Sequence, residues 1–212
     1  MKQFLTIKEN GWHWPVNGDY TWQAVTGALD IHNKITPYLK QTNVAIQAGG
    51  NGGLMVAPLA KKFKSVYTFE PEPLNFYCLT INVTSSNVFK YQACLGNKRG
   101  TVCLNNLFSN DNGAFYVDGT GETPVLMIDD LGLTDCNLIF LDIEGQEYFA
   151  LLGGIETIKK YKPVIVMEHC IPWMQRYNIS VTEINSLLID QLGYNLVSTF
   201  QGDSIYACTK QS

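Results

Sequence analysis

The sequence predicts an α/β fold: a mostly parallel sheet that ends in an antiparallel C-terminal hairpin. Three observations carry that expectation. Short apolar runs alternate with segments of helical length from Asn43 onward, a glycine-rich bend follows the first run, and two strand-like runs close the chain. Those two, YNLVSTF (194–200) and SIYACT (204–209), are joined only by Gln201-Gly202-Asp203. A joint that short permits antiparallel pairing alone, because parallel neighbours need a crossover of about a dozen residues.

In chain order, residues 1–42 form a polar, Trp-rich lead-in with a helix expected from about Trp22 to Leu39. Strands are expected at 43–48 (NVAIQA), 65–69 (SVYTF), 88–94 (VFKYQAC), 137–142 (NLIFLD) and 163–168 (PVIVME). Continuous β-rich runs of this kind suit strands buried on both faces of a parallel sheet. Helices are expected at 53–63, 73–83 and 146–160, with Pro58 a conflict that should kink or shorten the first of them. A further helix over 181–192 has a clear start, because Ser180 and Glu183 have the spacing of a capping box. Residues 99–128 interrupt the alternation and read as an added hairpin, with strand-like pieces at TVCLNNL and PVLMI around a polar, Gly-rich stretch. The whole reads as one domain, with 1–42 as a lead-in suited to covering a site and 43–212 as the core.

Composition narrows the function classes. The 212 residues are 46% hydrophobic and 16% charged, enough for a substantial core. A net charge of −4 gives no electrostatic reason to expect nucleic acid as a partner. The tight basic group Lys61, Lys62 and Lys64 reads as a solvated helix end. Six cysteines share no CxxC spacing, so free thiols and a reducing, cytoplasmic location are expected. Neither a signal peptide nor a membrane-spanning run is expected.

The bend Gln47-Ala48-Gly49-Gly50-Asn51-Gly52-Gly53 sits directly between the first core strand and its helix. Glycines there let a ligand approach the backbone at the carboxyl end of the sheet, where open α/β folds bind ligands. A dinucleotide frame fits only from Gly50 and Gly52, and its third glycine position is Met55, which disfavours an NAD-dependent oxidoreductase. Glu70 ends the second core strand about 20 residues on, where a carboxylate can accept hydrogen bonds from ribose hydroxyls. The small residues Ala93 and Cys94 at the tip of the third could border a flat base.

These residues carry a resemblance. AIQAGGNGG (45–53), VYTFEPEPLNFYCLTIN (66–82), and LIFLDIEGQEYFALLGG (138–154) followed by KPVIVMEH (162–169) make the chain similar to the FkbM-type family of S-adenosylmethionine-dependent methyltransferases. The middle block matches the family's F-E-P-x-P-x-N pattern and the third its D-x-E-G-x-E pattern. The resemblance implies a Rossmann-like class I methyltransferase sandwich, for which the terminal hairpin is the normal ending. It further implies S-adenosylmethionine as cofactor and O-methylation of a small-molecule or carbohydrate hydroxyl. A protein that binds the cofactor without catalysis is the alternative. Carried over by position, Gln47, Ala48, Gly49, Gly50, Asn51, Gly52, Glu70, Pro71, Ala93, Cys94 and Asp142 would hold the cofactor. The family's first strand usually ends in an acidic residue, whereas this chain has the neutral Gln47.

For the chemistry, Asp142, Glu144 and Glu147 crowd one strand tip and Glu168-His169 the next. His169 or Glu144 is expected to take the acceptor's proton, with Asp142 organising the site. The alternatives are a strand-end His169 engaged locally, a Glu144-Gly145 turn, and Glu147 serving its helix. A Mg²⁺ site on these oxygens stays open, but no ligand set is complete in sequence.

Overall fold

In the computed structural model, which describes residues 6–9, 11–15, 29–107 and 113–208, the chain opens with an antiparallel hairpin of β1 (Thr6–Glu9) and β2 (Trp12–Pro15). No strand is expected there from the sequence pattern. Helix α1 (Ile31–Ile35) runs into a 3₁₀ turn at Thr36–Tyr38. The earlier part of the expected helix, 22–28, lies outside the described residues.

The regular alternation then follows: β3 (Val44–Ala48), α2 (Val56–Lys62), β4 (Ser65–Phe69), α3 (Pro73–Asn82) and β5 (Val88–Tyr91). Pro58 causes no kink. The helix starts only at Val56, so Pro58 lies in its first turn, where an amide lacks an intrahelical partner anyway. In α3, Pro73 opens the helix and the Glu72 side chain caps it by accepting from the Asn75 amide at 2.6 Å.

Residues 94–126 leave the main sheet. Strands β6 (Cys94–Leu95), β7 (Gly100–Asn106) and β8 (Phe115–Leu126) form a separate three-stranded sheet in the order β6-β8-β7. The expected third strand therefore divides between two sheets. The expected hairpin forms as β7 paired antiparallel with β8, and part of the polar, Gly-rich stretch between the two strand-like pieces is itself strand in β8, whose register with β7 breaks between Val102 and Cys103.

The main sheet resumes with β9 (Leu138–Leu141), followed by α4 (Glu147–Leu152) and α5 (Ile155–Tyr161). The single helix expected there is broken at Gly153-Gly154, residues of low helical propensity. Then come β10 (Val164–Glu168), α6 (Ile171–Arg176), α7 (Val181–Asn185) with a π-helical continuation to Gln191, β11 (Asn195–Phe200) and β12 (Asp203–Ala207). The capping box at Ser180 forms as its spacing predicts.

The seven-stranded order is β11-β12-β10-β9-β3-β4-β5, parallel from β10 through β5 and antiparallel at β12. Side chains alternate between two buried faces. Ile46, Ala48, Ile139, Leu141, Ile165 and Met167 enter one core, and Ala45, Leu138, Phe140, Val164, Val166 and Ile205 the other. Burial on both sides is why these strands lack polar alternation. Because β3 pairs with β4 on one side and with the much later β9 on the other, the strand order reverses there and a crevice opens at their carboxyl ends. Among the described residues, no helix is long and apolar enough to cross a membrane.

Candidate active site

The crevice is built first by the bend after β3. Gly49 holds φ +85°, and a Cβ on it would lie 1.9 Å from the Asp142 carbonyl oxygen. Only glycine lets the bend pass this close to the tip of β9. The Gly49 and Gly50 amides both donate to the Phe69 carbonyl at 3.0 Å, tying the bend to the end of β4. Further on, the Trp14 ring of β2 rests on Gly52, where an added Cβ would sit 2.8 Å from it.

Glu70 faces this bend. Its carboxylate accepts from the Asn51 amide at 2.7 Å through one oxygen and from the Glu72 amide at 2.9 Å through the other. Burial pushes its pKa up to about 7, against the pull of those two amides. The acidic group that ends the second core strand thus both shapes the bend and walls the cleft.

One cleft gathers Ala48, Gly49, Gly50, Asn51, Gly52, Glu70, Pro71, Ala93, Cys94, Asp142 and Glu144. The sequence places all of these as candidates. Two others fall elsewhere. Gln47 does not line the cleft: it is buried beneath the bend, where its amide nitrogen donates to the Gly49 carbonyl at 2.9 Å and the Ala48 carbonyl at 3.2 Å, and its oxygen accepts from the Thr68 hydroxyl. A carboxylate at this position could accept but not donate, so a glutamine is what those two carbonyls require.

His169 is likewise outside the lining. Its ring nitrogens lie 3.2 Å from the Ser204 hydroxyl and 3.4 Å from the Tyr206 hydroxyl. Burial pushes its pKa down, favouring the neutral ring. Neither residue at the end of β10 lines the cleft: Glu168 is paired in register with Asp203, and His169 turns to the opposite face, toward Ser204 and Tyr206.

Glu147 is also turned away, buried with its carboxylate accepting from the Ile143 amide at 2.8 Å. It stabilises the turn in which Glu144 and Gly145 both hold left-handed backbone, φ 56° and 93°. Burial raises its pKa to about 8.

Sequence reasoning missed several lining residues. Asp203, the first residue of β12, faces the cleft, and the small sheet contributes Leu104, Phe115 and Val117. Asn75 and Gln146 add polar groups. The turn Gln201-Gly202-Asp203 signalled the hairpin but not that its end returns to the cleft. The aromatic density of the lead-in was the only hint of Trp14.

Asp142 is exposed to the cleft it lines, and the protein crowded around its carboxylate pushes its pKa up. Burial, followed by the Asp142 charge, raises Asp203 to about 7. Burial with the charges of Asp142 and Asp203 raises Glu168 to about 7. Among the described residues, no three His, Cys, Asp or Glu side chains are arranged to hold a metal ion. All six cysteines are free.

These features fit S-adenosylmethionine: a glycine bend that admits close approach, a buried carboxylate facing it, and small residues Ala93 and Cys94 opposite. Comparison with known proteins agrees. Residues 53–196 match the model of the methyltransferase FkbM domain. The fold is similar to a methyltransferase FkbM from Methylobacillus flagellatus KT, with a TM-score of 0.50, 17% identity, and coverage of 78% of this chain and 43% of that one. The chain thus spans less than half the length of that protein. It is also similar to magnesium protoporphyrin IX methyltransferase from Synechocystis PCC 6803, solved with bound S-adenosylmethionine, with a TM-score of 0.50, 12% identity, and coverage of 88% and 79%. No curated protein sequence matches the chain. With the family model covering well over half of its residues, the chain belongs to the FkbM methyltransferase family of S-adenosylmethionine-dependent enzymes.

Proposed function

We propose that this methyltransferase acts on an oxygen, methylating a hydroxyl of an uncharged small molecule or carbohydrate. The observation that supports this most directly is the make-up of the cleft. Among the described residues its lining carries the carboxylates Glu70, Asp142, Glu144 and Asp203 beside the apolar Leu104, Phe115 and Val117, and no Lys, Arg or His. A lining of that sign repels phosphates and carboxylates but accommodates a neutral polyol, whose hydroxyls can donate to carboxylates.

In this reading Gly49, Gly50, Asn51 and Gly52 cradle the amino-acid end of the cofactor, Glu70 receives its ribose, and Pro71, Ala93 and Cys94 border the adenine. The cofactor supplies an activated methyl group. Because the donor is activated, the protein mainly aligns the partners and handles one proton. With it bound, the methyl group would pass from the sulfonium, leaving the thioether, to the acceptor oxygen, and Glu144 would take the acceptor's proton. Asp142 orders the edge where the two substrates meet. The chain works as one domain, with the N-terminal hairpin and the small sheet covering the cleft.

The test is methyl transfer from labelled S-adenosylmethionine to a panel of neutral glycans and alcohols, set against RNA and phosphorylated sugars. Transfer to hydroxyls of neutral acceptors is expected. Glu144→Gln should then lower kcat by about 10²–10⁴-fold with an unchanged cofactor Kd. Transfer only to RNA or to phosphorylated acceptors would refute the assignment.

A further inference from the structure

We infer that Asp203, acting with Asp142, makes the cleft selective for the positively charged sulfonium of S-adenosylmethionine over the neutral thioether of S-adenosylhomocysteine. The argument begins with register. Leu141 is opposite Met167 in the parallel pairing of β9 with β10, and Glu168 is opposite Asp203 in the antiparallel pairing of β10 with β12. One residue past Leu141, Asp142 continues the row. Three carboxylates thus stand abreast on neighbouring chain segments at the carboxyl edge of the sheet, and the outer two line the cleft.

Nothing in the lining neutralises them. Among the described residues it holds no Lys, Arg or His. The imidazole that follows Glu168, His169, is engaged by Ser204 and Tyr206, and burial pushes the His32 imidazole, stacked on Phe140, down to about 4, so it carries no charge at neutral pH. The remaining acids nearby add to the same sign: Glu144 lines the cleft, and Glu147 lies behind it, close enough to feel the Asp142 and Glu168 charges. Gln47 contributes no charge, because it is neutral and spent on the bend. Glu70 stands at the far end, bound to the Asn51 and Glu72 amides. Among the described residues, the counter-charge at the β9 end of the cleft therefore comes from carboxylates, Asp142 and Asp203 with Glu144 beside them.

Within this row of like charges, half-buried Asp203 and Glu168 both rise to about 7, raised first by burial and then by the neighbouring acids. A cation entering beside them favours their ionised forms and drives protons off. Binding of the sulfonium form should therefore strengthen with pH and release protons, and binding of the thioether should do neither. After transfer the donor's positive charge is gone, so the same field weakens retention of the product.

This rests on the cofactor assignment, and calorimetry separates the two. Titrations of S-adenosylmethionine and S-adenosylhomocysteine into the protein at pH 6 and pH 8, in two buffers of different ionisation heat, report affinity and protons exchanged. The wild type should bind the sulfonium form about tenfold more tightly, with the ratio larger at pH 8 and protons released only with that ligand. Asp203→Asn should bring the ratio near unity by weakening S-adenosylmethionine alone, Asp203→Glu should retain it, and the exposed Glu122→Gln should leave it unchanged. Equal weakening of both ligands by Asp203→Asn, or a wild-type ratio at or below one, would overturn the inference. Failure of the wild type to bind either ligand would overturn the cofactor assignment with it.

Discussion

Gly49 shows how little freedom the site has at the level of a single residue. Its backbone is left-handed, and the space a Cβ would take is held by the Asp142 carbonyl. Gly49→Ala should destabilise the protein by about 1–3 kcal/mol from backbone strain alone and abolish cofactor binding, as read by chemical denaturation and calorimetry. Glu70 is a second such point, since two amides depend on its carboxylate. Glu147 behaves differently. It is a carboxylate whose folded pKa, about 8, lies above its ordinary 4.5, so the folded protein binds more protons than the unfolded chain between those values. Its contribution to stability is therefore present at low pH and lost as pH rises through that window. Glu147→Gln keeps an oxygen for the Ile143 amide and removes the titration. Its melting temperature should equal or exceed that of the wild type at pH 8, with a flatter profile from pH 5 to 8 in thermal scans.

Among the elements, the N-terminal hairpin is attached to the core through Asn82, the last residue of α3. Its side-chain amide donates to the His13 carbonyl at 2.9 Å and the Gly52 carbonyl at 2.7 Å, and its oxygen accepts from the His13 amide at 2.7 Å. One side chain thus joins β2, α3 and the glycine bend, while Trp14 packs on Gly52. Asn82 also begins an Asn-Val-Thr sequence, but its amide is committed inward. Asn82→Ala leaves these backbone groups without their partner, at a cost of about 1–3 kcal/mol. Faster cofactor release in stopped-flow exchange is expected, with faster amide hydrogen exchange confined to residues 11–15 and 50–53. The small sheet closes the opposite side. Tyr177 accepts from the Val117 amide and donates to the Val117 carbonyl, both at 3.1 Å, so β8 is fastened to the end of α6. Tyr177→Phe should loosen that wall, raising acceptor KM more than cofactor Kd.

For the whole molecule, the shifted acids act together. Glu70, Glu168 and Asp203 titrate near 7 and Glu147 near 8, each raised chiefly by burial. All four therefore work in one direction: the cofactor-free protein should lose stability steadily from pH 5 to pH 8. Scanning calorimetry of the free protein checks this, and a melting temperature that rises with pH over that range would contradict it. The pattern follows from placing buried and half-buried carboxylates near the carboxyl edge of one sheet, where each favours its protonated form in the empty fold.

What the sequence determined by itself was the class of fold and most of one wall of the cleft. Uninterrupted apolar runs specify strands buried on both faces, and glycine, proline and capping residues mark where they turn, because these are local properties of the backbone. So the bend at Gly49, Glu70 and the Asp142 tip could be placed in one crevice from spacing and pattern. Tertiary structure decided which neighbours at a strand end reach that crevice. Neither Glu168 nor His169 reaches it, His169 facing Ser204 and Tyr206 instead, and Gln47 turns under the bend it was expected to line. It also brought in Asp203 and Trp14, from opposite ends of the chain, and divided the expected third strand between two sheets. Side-chain direction and pairing between distant segments are set by register and packing, interactions between residues far apart that no local pattern encodes.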